Sequence, residues 1–272
     1  MKNILKFLLS IVLVFCFINN FADAKITSAT YKVLKDKEGV YVIEINSHKT
    51  KDMLVPYVAE NLETNDSVYR STNARLCVNA GFFDPKNQKT VSYVVIDEKP
   101  VADPKENENL MNNPSLEKYM DKILNRSEFR VFADGKGRII YDIAPHNDKI
   151  PEGYTLKHSI QAGPMLLPDL RLEEEFFVLI RKGKLVSESA SALHQYARTA
   201  IGIKDNNVYL FIITNEAPMT LKEVAELAHK WGMEKAMAFD GGGSTSFDSP
   251  ELHIISEKDN QARRLKSFLI LQ

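Results

Sequence analysis

The chain has 272 residues, 35 Lys and Arg against 36 Asp and Glu, and a formal charge of -1. With 44% apolar and 26% charged residues and only 12 Gly and 11 Pro, it is no collagen-like, low-complexity or mainly disordered chain. Near-neutrality argues against a dedicated nucleic-acid binder, which carries a basic excess, and two cysteines are too few for a disulfide framework.

The amino terminus reads as a signal peptide over residues 1–24. Lys2 and Lys6 form a basic start, Phe7 to Ile18 is apolar except for Ser10, and Ala22-Asp23-Ala24 supplies a small-x-small cleavage pattern. A run of that length is too short to cross a bilayer. Cys16 falls in the discarded segment, so the domain expected over 25–272 keeps Cys77 as its single thiol and has no intramolecular disulfide. This exported chain, periplasmic or secreted, is about 248 residues long (272 less 24) and carries a charge of -2 once Lys2, Lys6 and Asp23 leave. A hydrophobic core must hold it together, and no second segment is long and apolar enough to span a membrane.

In chain order, Ile26 to Leu34 and Val40 to Ile45 are β-branched runs around the turn-like Asp36-Lys37-Glu38-Gly39, a hairpin signal. Leu76 to Val78 and Val91 to Ile96 read as buried strands. Between Ala102 and Asn125 the composition shifts to Asn, Glu, Lys and Pro, with helical spacing of Leu116, Tyr119, Met120 and Ile123. This is a polar insertion rather than a domain boundary. Glu128 to Ala133 and Arg138 to Tyr141 flank Asp134-Gly135-Lys136-Gly137, a second hairpin; Thr199 to Ile203 and Val208 to Thr214 flank Asp205-Asn206-Asn207, a third. Thr220 and Glu223 form a capping box ahead of Leu221, Val224, Ala225 and Ala228 on one helical face, and Gly232 stands where that helix stops. Trp231 belongs with that face as a core residue. Ala236 to Phe239 is a short buried strand ending at Asp240. The sum is a single α+β, mixed-sheet domain of many short strands and few helices, with the insertion around 102–125.

Chemistry concentrates in four polar-glycine clusters beside strands. In Asp240-Gly241-Gly242-Gly243-Ser244-Thr245, consecutive glycines leave backbone N–H groups unshielded, so the loop can wrap an anion; Ser244 and Thr245 add hydroxyls, and Asp240 is placed as a base or as an acceptor for a sugar hydroxyl. The plain alternative is a glycine turn capped by Asp240. In Arg198-Thr199-Ala200-Ile201-Gly202 the arginine can offer a planar fork to phosphate or serve a structural ion pair. Asn79-Ala80-Gly81-Phe82-Phe83-Asp84 puts an amide, rings and a carboxylate after a strand, suited to sugars or to a simple turn over two aromatics. Gln161-Ala162-Gly163-Pro164-Met165-Leu166 is the fourth. Cys77, between Leu76 and Val78, is a core thiol rather than a nucleophile. The six histidines show no metal-ligand spacing, no Lys completes a P-loop, and Ser244 lacks the nucleophile-elbow context.

Taken in order, Asn-Ala-Gly-Phe-Phe, Gln-Ala-Gly-Pro-x-Leu, Arg-Thr-Ala-Ile-Gly, the Thr-Leu-x-Glu-x-Ala helix and Asp-Gly-Gly-Gly-Ser-Thr resemble the phosphodiester glycosidase domain, the family of the uncovering enzyme that removes α-N-acetylglucosamine from a phosphodiester on lysosomal enzyme glycans. The matching motifs run from Leu76 to Phe247. The chain departs from the family's pattern at Ala238, where Asn is usual, and at Ser92-Tyr93, where glycine is common. The resemblance implies cleavage of a sugar–phosphate diester at the anomeric carbon, in a glycan or cell-envelope polymer. Because phosphate is a good leaving group, the usual carboxylate pair can be relaxed. On this reading Arg198 and the amides of Gly241, Gly242, Gly243 and Ser244 hold the phosphate. Asp240 is the first carboxylate, with Asp84 or Glu216 as a second. Asn79 and Gln161 hold sugar hydroxyls or phosphate, while Gly81, Gly163, Thr199 and Thr245 complete the pocket. No cofactor, metal or nucleic-acid partner is expected. The alternative is a non-catalytic module binding anionic glycan in the same pocket.

Overall fold

The computed structural model describes residues 25–26, 31–46, 53–256 and 261–272. The expected signal peptide, 1–24, lies outside them. Three antiparallel sheets hold nearly all strands. The first runs, in spatial order, β1 (Lys25–Ile26), β2 (Tyr31–Lys37), β3 (Val40–Ile45), β15 (Asn207–Ile213), β14 (Arg198–Lys204), β16 (Lys235–Ala238) and β11 (Met165–Leu167). The second runs β7 (Lys99–Ala102), β6 (Val94–Ile96), β10 (Tyr154–Gln161), β8 (Ser127–Asp134) and β9 (Ile139–Pro145). The third runs β18 (His253–Ile255), β17 (Ser246–Asp248), β5 (Leu76–Asn79), β19 (Leu265–Leu271) and β4 (Leu54–Glu63). A hairpin of β12 (Val178–Arg181) and β13 (Lys184–Glu188) stands apart. The helices are α1 (Asn65–Ser71), α2 (Glu108–Met111), α3 (Met120–Leu124) and α4 (Leu221–Lys230).

Alternation along the strands sorts residues between cores. On β15, Val208, Leu210 and Ile212 join a central cluster, whereas Phe211 and Ile213 join a second one on the opposite face. The central cluster takes side chains from all three sheets, including Ile43 and Ile201 from the first, Phe129 and Ile160 from the second, and Val78, Phe247 and Leu269 from the third. That shared core makes the sheets one domain. The second cluster lies under α4 through Leu221, Val224, Ala225 and Ala228. A third packs α1, through Val68, on Cys77, Phe268 and Ile270. Cys77 is fully buried, and burial pushes its thiol pKa well up.

All three expected hairpins are present, as β2/β3, β8/β9 and β14/β15. The insertion holds short helical turns in place of one helix: Pro104–Glu106, α2, Glu117–Tyr119 and α3. Its Leu110 and Ile123 are buried, and with Leu116, Phe176 and Phe177 they line an apolar pocket of about 240 Å³ beside Arg126. Strands β4 and β19, helix α1 and hairpin β12/β13 were not anticipated from the sequence. No helix among the described residues is long and apolar enough to cross a membrane.

Helix α4 starts at the expected capping box. Thr220 Oγ1 accepts from Glu223 N at 3.2 Å, and Glu223 Oε2 accepts from Thr220 N at 2.7 Å. Thr220→Ala is expected to cost about 1 kcal/mol, lowering Tm by roughly 2–4 °C for a chain of this size, as read by thermal unfolding.

Candidate active site

Strand register brings most of the sequence clusters to one rim. Strand β14 starts at Arg198 against the end of β16, with Ala200 opposite Ala238, and β15 ends at Ile213 opposite Arg198. Strand β5 ends at Asn79 between β17 and β19. The two sheets meet there through side chains and loop backbone.

Asn79 is the joint. Its Nδ2 donates to Asp240 O at 2.6 Å, and its Oδ1 accepts from Thr199 Oγ1 at 2.7 Å and from Ser246 N at 3.1 Å. The Asp240 amide donates to Ala80 O at 2.8 Å, and Phe239 N to Thr199 O at 2.9 Å. Asn79 and Thr199 are buried and committed to these contacts, so both position the site from beneath rather than offering free groups to a ligand.

The glycine loop is a single 3-10 turn over Gly242–Ser244. Gly242 has φ +60° and faces open space; a left-handed φ beside a clear approach is what glycine supplies here. The turn uses amides that the sequence suggested for an anion: Gly242 N donates to Ala197 O at 2.7 Å and Ser244 N to Gly241 O at 3.1 Å. Gly241's amide is directed at the carboxyl of Asp240. The hydroxyls of Ser244 and Thr245 are buried, and among the described residues neither has a hydrogen-bond partner. Buried hydroxyls of this kind are costly unless something binds them.

Desolvation raises the Asp240 pKa from its ordinary 3.8 to about 6. The Ser244 hydroxyl most opposes that shift, although the two make no hydrogen bond of regular geometry; the charges of Arg263 and, more weakly, Arg198 oppose it too. The residue keeps some solvent contact.

Arg198 is turned differently from expectation. Nε donates to Met219 O at 2.8 Å, Nη1 to Ala190 O at 3.1 Å, and Nη2 to Ser191 O and His194 O at 2.6 Å each. Four of its five N–H groups thus pin loop carbonyls, and one is left. It is a clamp on the loops around the rim, and burial lowers its pKa.

Gln161 is also committed: its Oε1 accepts from Tyr93 N, and Nε2 donates to Leu124 O and Arg126 O. Gly81 lies against Ser92. Gly163 has φ +94°, precedes a cis proline, and sits over Glu175 so closely that a Cβ would collide with the carboxylate. Glu175 is fully buried and holds this loop by accepting from Ser127 Oγ at 2.7 Å, Ser127 N at 3.1 Å and Met165 N at 3.0 Å; burial raises its pKa.

Among the described residues neither candidate second carboxylate makes a hydrogen bond to the Asp240 loop. Asp84 accepts from Lys86 N and from Asn109 Nδ2 of the insertion, both at 2.8 Å, and these bonds lower its pKa. It is a turn residue because its oxygens close that turn. Glu216 lines a cleft of about 680 Å³ with Tyr41, Asn215, His253 and Ser256. Neither is among the main groups acting on Asp240. No group of three or more His, Cys, Asp or Glu among the described residues can hold a metal ion.

The sequence did not single out Glu175, which lies in the acidic run Glu173-Glu174-Glu175, or Arg263, in Gln261-Ala262-Arg263-Arg264. Both runs look like solvated surface.

Residues 72–272 match the model of the phosphodiester glycosidase family. The chain belongs to that family. No curated protein matches the sequence. Among solved structures, the catalytic domain of zebrafish N-acetylglucosamine-1-phosphodiester alpha-N-acetylglucosaminidase, auto-inhibited by its pro-peptide, is similar in fold at a TM-score of 0.63 and 14% identity, over 93% of this chain and 87% of that one. A protein from Burkholderia pseudomallei described as exported gives 0.59 and 14%, over 89% and 74%. A Synechocystis protein gives 0.56 and 17% over 92% of this chain, which spans 65% of that one. At these identities the likeness is one of fold.

Two predictions follow from the geometry. Asn79→Ala strands Asp240 O, Thr199 Oγ1 and Ser246 N, so unfolding in denaturant should show a loss of about 2–3 kcal/mol. For Asp240, a folded pKa raised from 3.8 to about 6 means its contribution favours the fold below about pH 4 and is lost as pH rises through 6. Asp240→Asn should therefore match wild type at pH 3.5 and exceed it at pH 8 by at most about 3 kcal/mol, less where solvent reaches the side chain, as read by chemical unfolding at the two pH values.

Proposed function

We propose that this protein is an exported hydrolase that cleaves the bond between an anomeric carbon and phosphate in a glycosyl phosphodiester, carried on a glycan or a cell-envelope polymer. Membership of the family supports the reaction class. The observation that carries the reading further is a desolvated carboxyl, Asp240, held at the rim by Asn79, with the Ser244 hydroxyl acting on it and the buried Thr245 hydroxyl left without a partner among the described residues.

In this reading water adds to the anomeric carbon and gives its proton to Asp240. The C–O bond to phosphate breaks with its electron pair going to the phosphate oxygen, so free sugar and a phosphate monoester leave. A base with a pKa near 6 is matched to such work. A single carboxylate suffices because phosphate departs without prior protonation, and Asp84 is engaged with Asn109 of the insertion. Arg198, Asn79 and Thr199 act through position.

The test is release of sugar from a hexose 1-(methyl phosphate) diester, followed by NMR. Wild type should turn over with kcat/KM rising through an acid limb near pH 6, and Asp240→Asn should lose about 10²–10⁴-fold. Binding without turnover would instead favour a glycan-binding module, and neither binding nor turnover would remove the reading.

A further inference from the structure

If Arg198 is occupied with backbone carbonyls, a diester at this rim still needs a cation, and the fold supplies one from another strand. Strand β19 pairs antiparallel with β5, Phe268 opposite Asn79 and Leu269 opposite Val78. Residues before Phe268 therefore run past the end of β5 and alongside the Ala80–Asp84 loop. Two bonds fix this: Ala80 N to Ser267 O at 3.2 Å and Ser267 Oγ to Gly81 O at 3.3 Å. Arg263 lies on that overhang with its guanidinium 5.8 Å from the centre of the Phe83 ring. Ala80, three residues before Phe83 in the same loop, accepts the Asp240 amide.

Arg263 is exposed and makes no hydrogen bond or ion pair among the described residues. Its neighbours behave otherwise. Arg264 Nη1 donates to Leu62 O at 3.2 Å, and Lys266 Nζ to Glu60 O at 2.9 Å, both on β4. Arg70, Arg130 and Arg138 are all paired with aspartates. An arginine whose fork is free among the described residues, resting on an aromatic face, is suited to bidentate capture of a phosphate. The second, independent sign of a ligand here is the buried hydroxyl of Thr245 on the same rim, which has no hydrogen-bond partner among the described residues.

Resting on the function proposed above, we infer that Arg263 is the phosphate-binding residue of this site, gripping the phosphate oxygens of the diester while Asp240 faces the sugar carbon. Its charge acts on the Asp240 carboxyl more strongly than that of Arg198 does, in accord with this placement. When the C–O bond breaks, charge grows on the oxygens that Arg263 would hold, so its grip strengthens toward the transition state.

The probe is methyl phosphate, titrated calorimetrically into the full chain, with the methyl diester used in parallel for kinetics. Wild type should bind methyl phosphate with an affinity that falls as salt rises. Arg263→Ala should bind at least about 10-fold more weakly, and Arg263→Lys should recover part of that, since charge returns without the fork. The unfolding curve of Arg263→Ala should match wild type, because the side chain holds no other element. The acid limb of kcat/KM should move to higher pH in Arg263→Ala, because loss of a nearby positive charge raises the Asp240 pKa. Unchanged methyl phosphate affinity in Arg263→Ala, or no binding by wild type, overturns the inference. Loss of binding in the variant, in a wild type that hydrolyses no diester, keeps the phosphate site and removes only the hydrolase reading.

Discussion

The site depends on one side chain with three bonds. Asn79 ends a strand of the third sheet, yet its amide holds the carbonyl of Asp240 and its oxygen receives Thr199 and Ser246. Asp240 and Thr199 come from loops and strands of the first sheet, so this amide, with the Asp240 N–H on Ala80 O, bridges two sheets that share an apolar core. Hydrophobic contact tells the sheets that they belong together but sets no exact angle or register between them. A buried amide with its bonds filled does set them, because any slip would leave several polar groups unpaired. The desolvation of Asp240 is a consequence of that seating, and so is its displaced pKa.

Much of this was legible in the sequence. Alternating runs around short turns specified three hairpins, and Thr220 with Glu223 specified the start of α4, because those signals are local. The motif clusters pointed to the rim because glycine and polar residues at strand ends have few other uses. What local pattern cannot give is the partner of each donor. Arg198 at the head of a buried strand fits a phosphate fork and a loop clamp equally well, and only the carbonyls of Met219, Ala190, Ser191 and His194 decide for the clamp. Glu175 looked like one of three solvated glutamates, yet it is buried beneath Gly163. Arg263 sits among surface-type residues, and it reaches the rim only because β19 pairs with β5.

The division of labour among charged groups gives the rim its character. Buried cations bound to backbone carbonyls, Arg198 and Arg126, build walls; Arg126 lies over the ring of Phe177 at 4.1 Å with Nε on Glu175 O, and burial lowers its pKa to about 10. Glu175 accepts three bonds and braces the cis-proline loop. Such groups are too fully engaged to follow a substrate, and their rigidity is what lets a few unengaged groups work at fixed positions.

The central placement of β19 also bears on how the molecule comes into being. This strand lies between β4 (Leu54–Glu63) and β5 (Leu76–Asn79), and more than half of the chain separates it from them in sequence. Until it arrives, β5 lacks a neighbour on one side, the Ala80 loop has no Ser267 to rest on, and Asn79 hangs at an open edge. Contacts of such long sequence separation form late, because the loop they close is entropically expensive. The closure that completes the rim is therefore expected to come late in folding. On this topology a chain that stops short of β19 keeps every motif residue from Asn79 to Thr245 and lacks the strand that seats them.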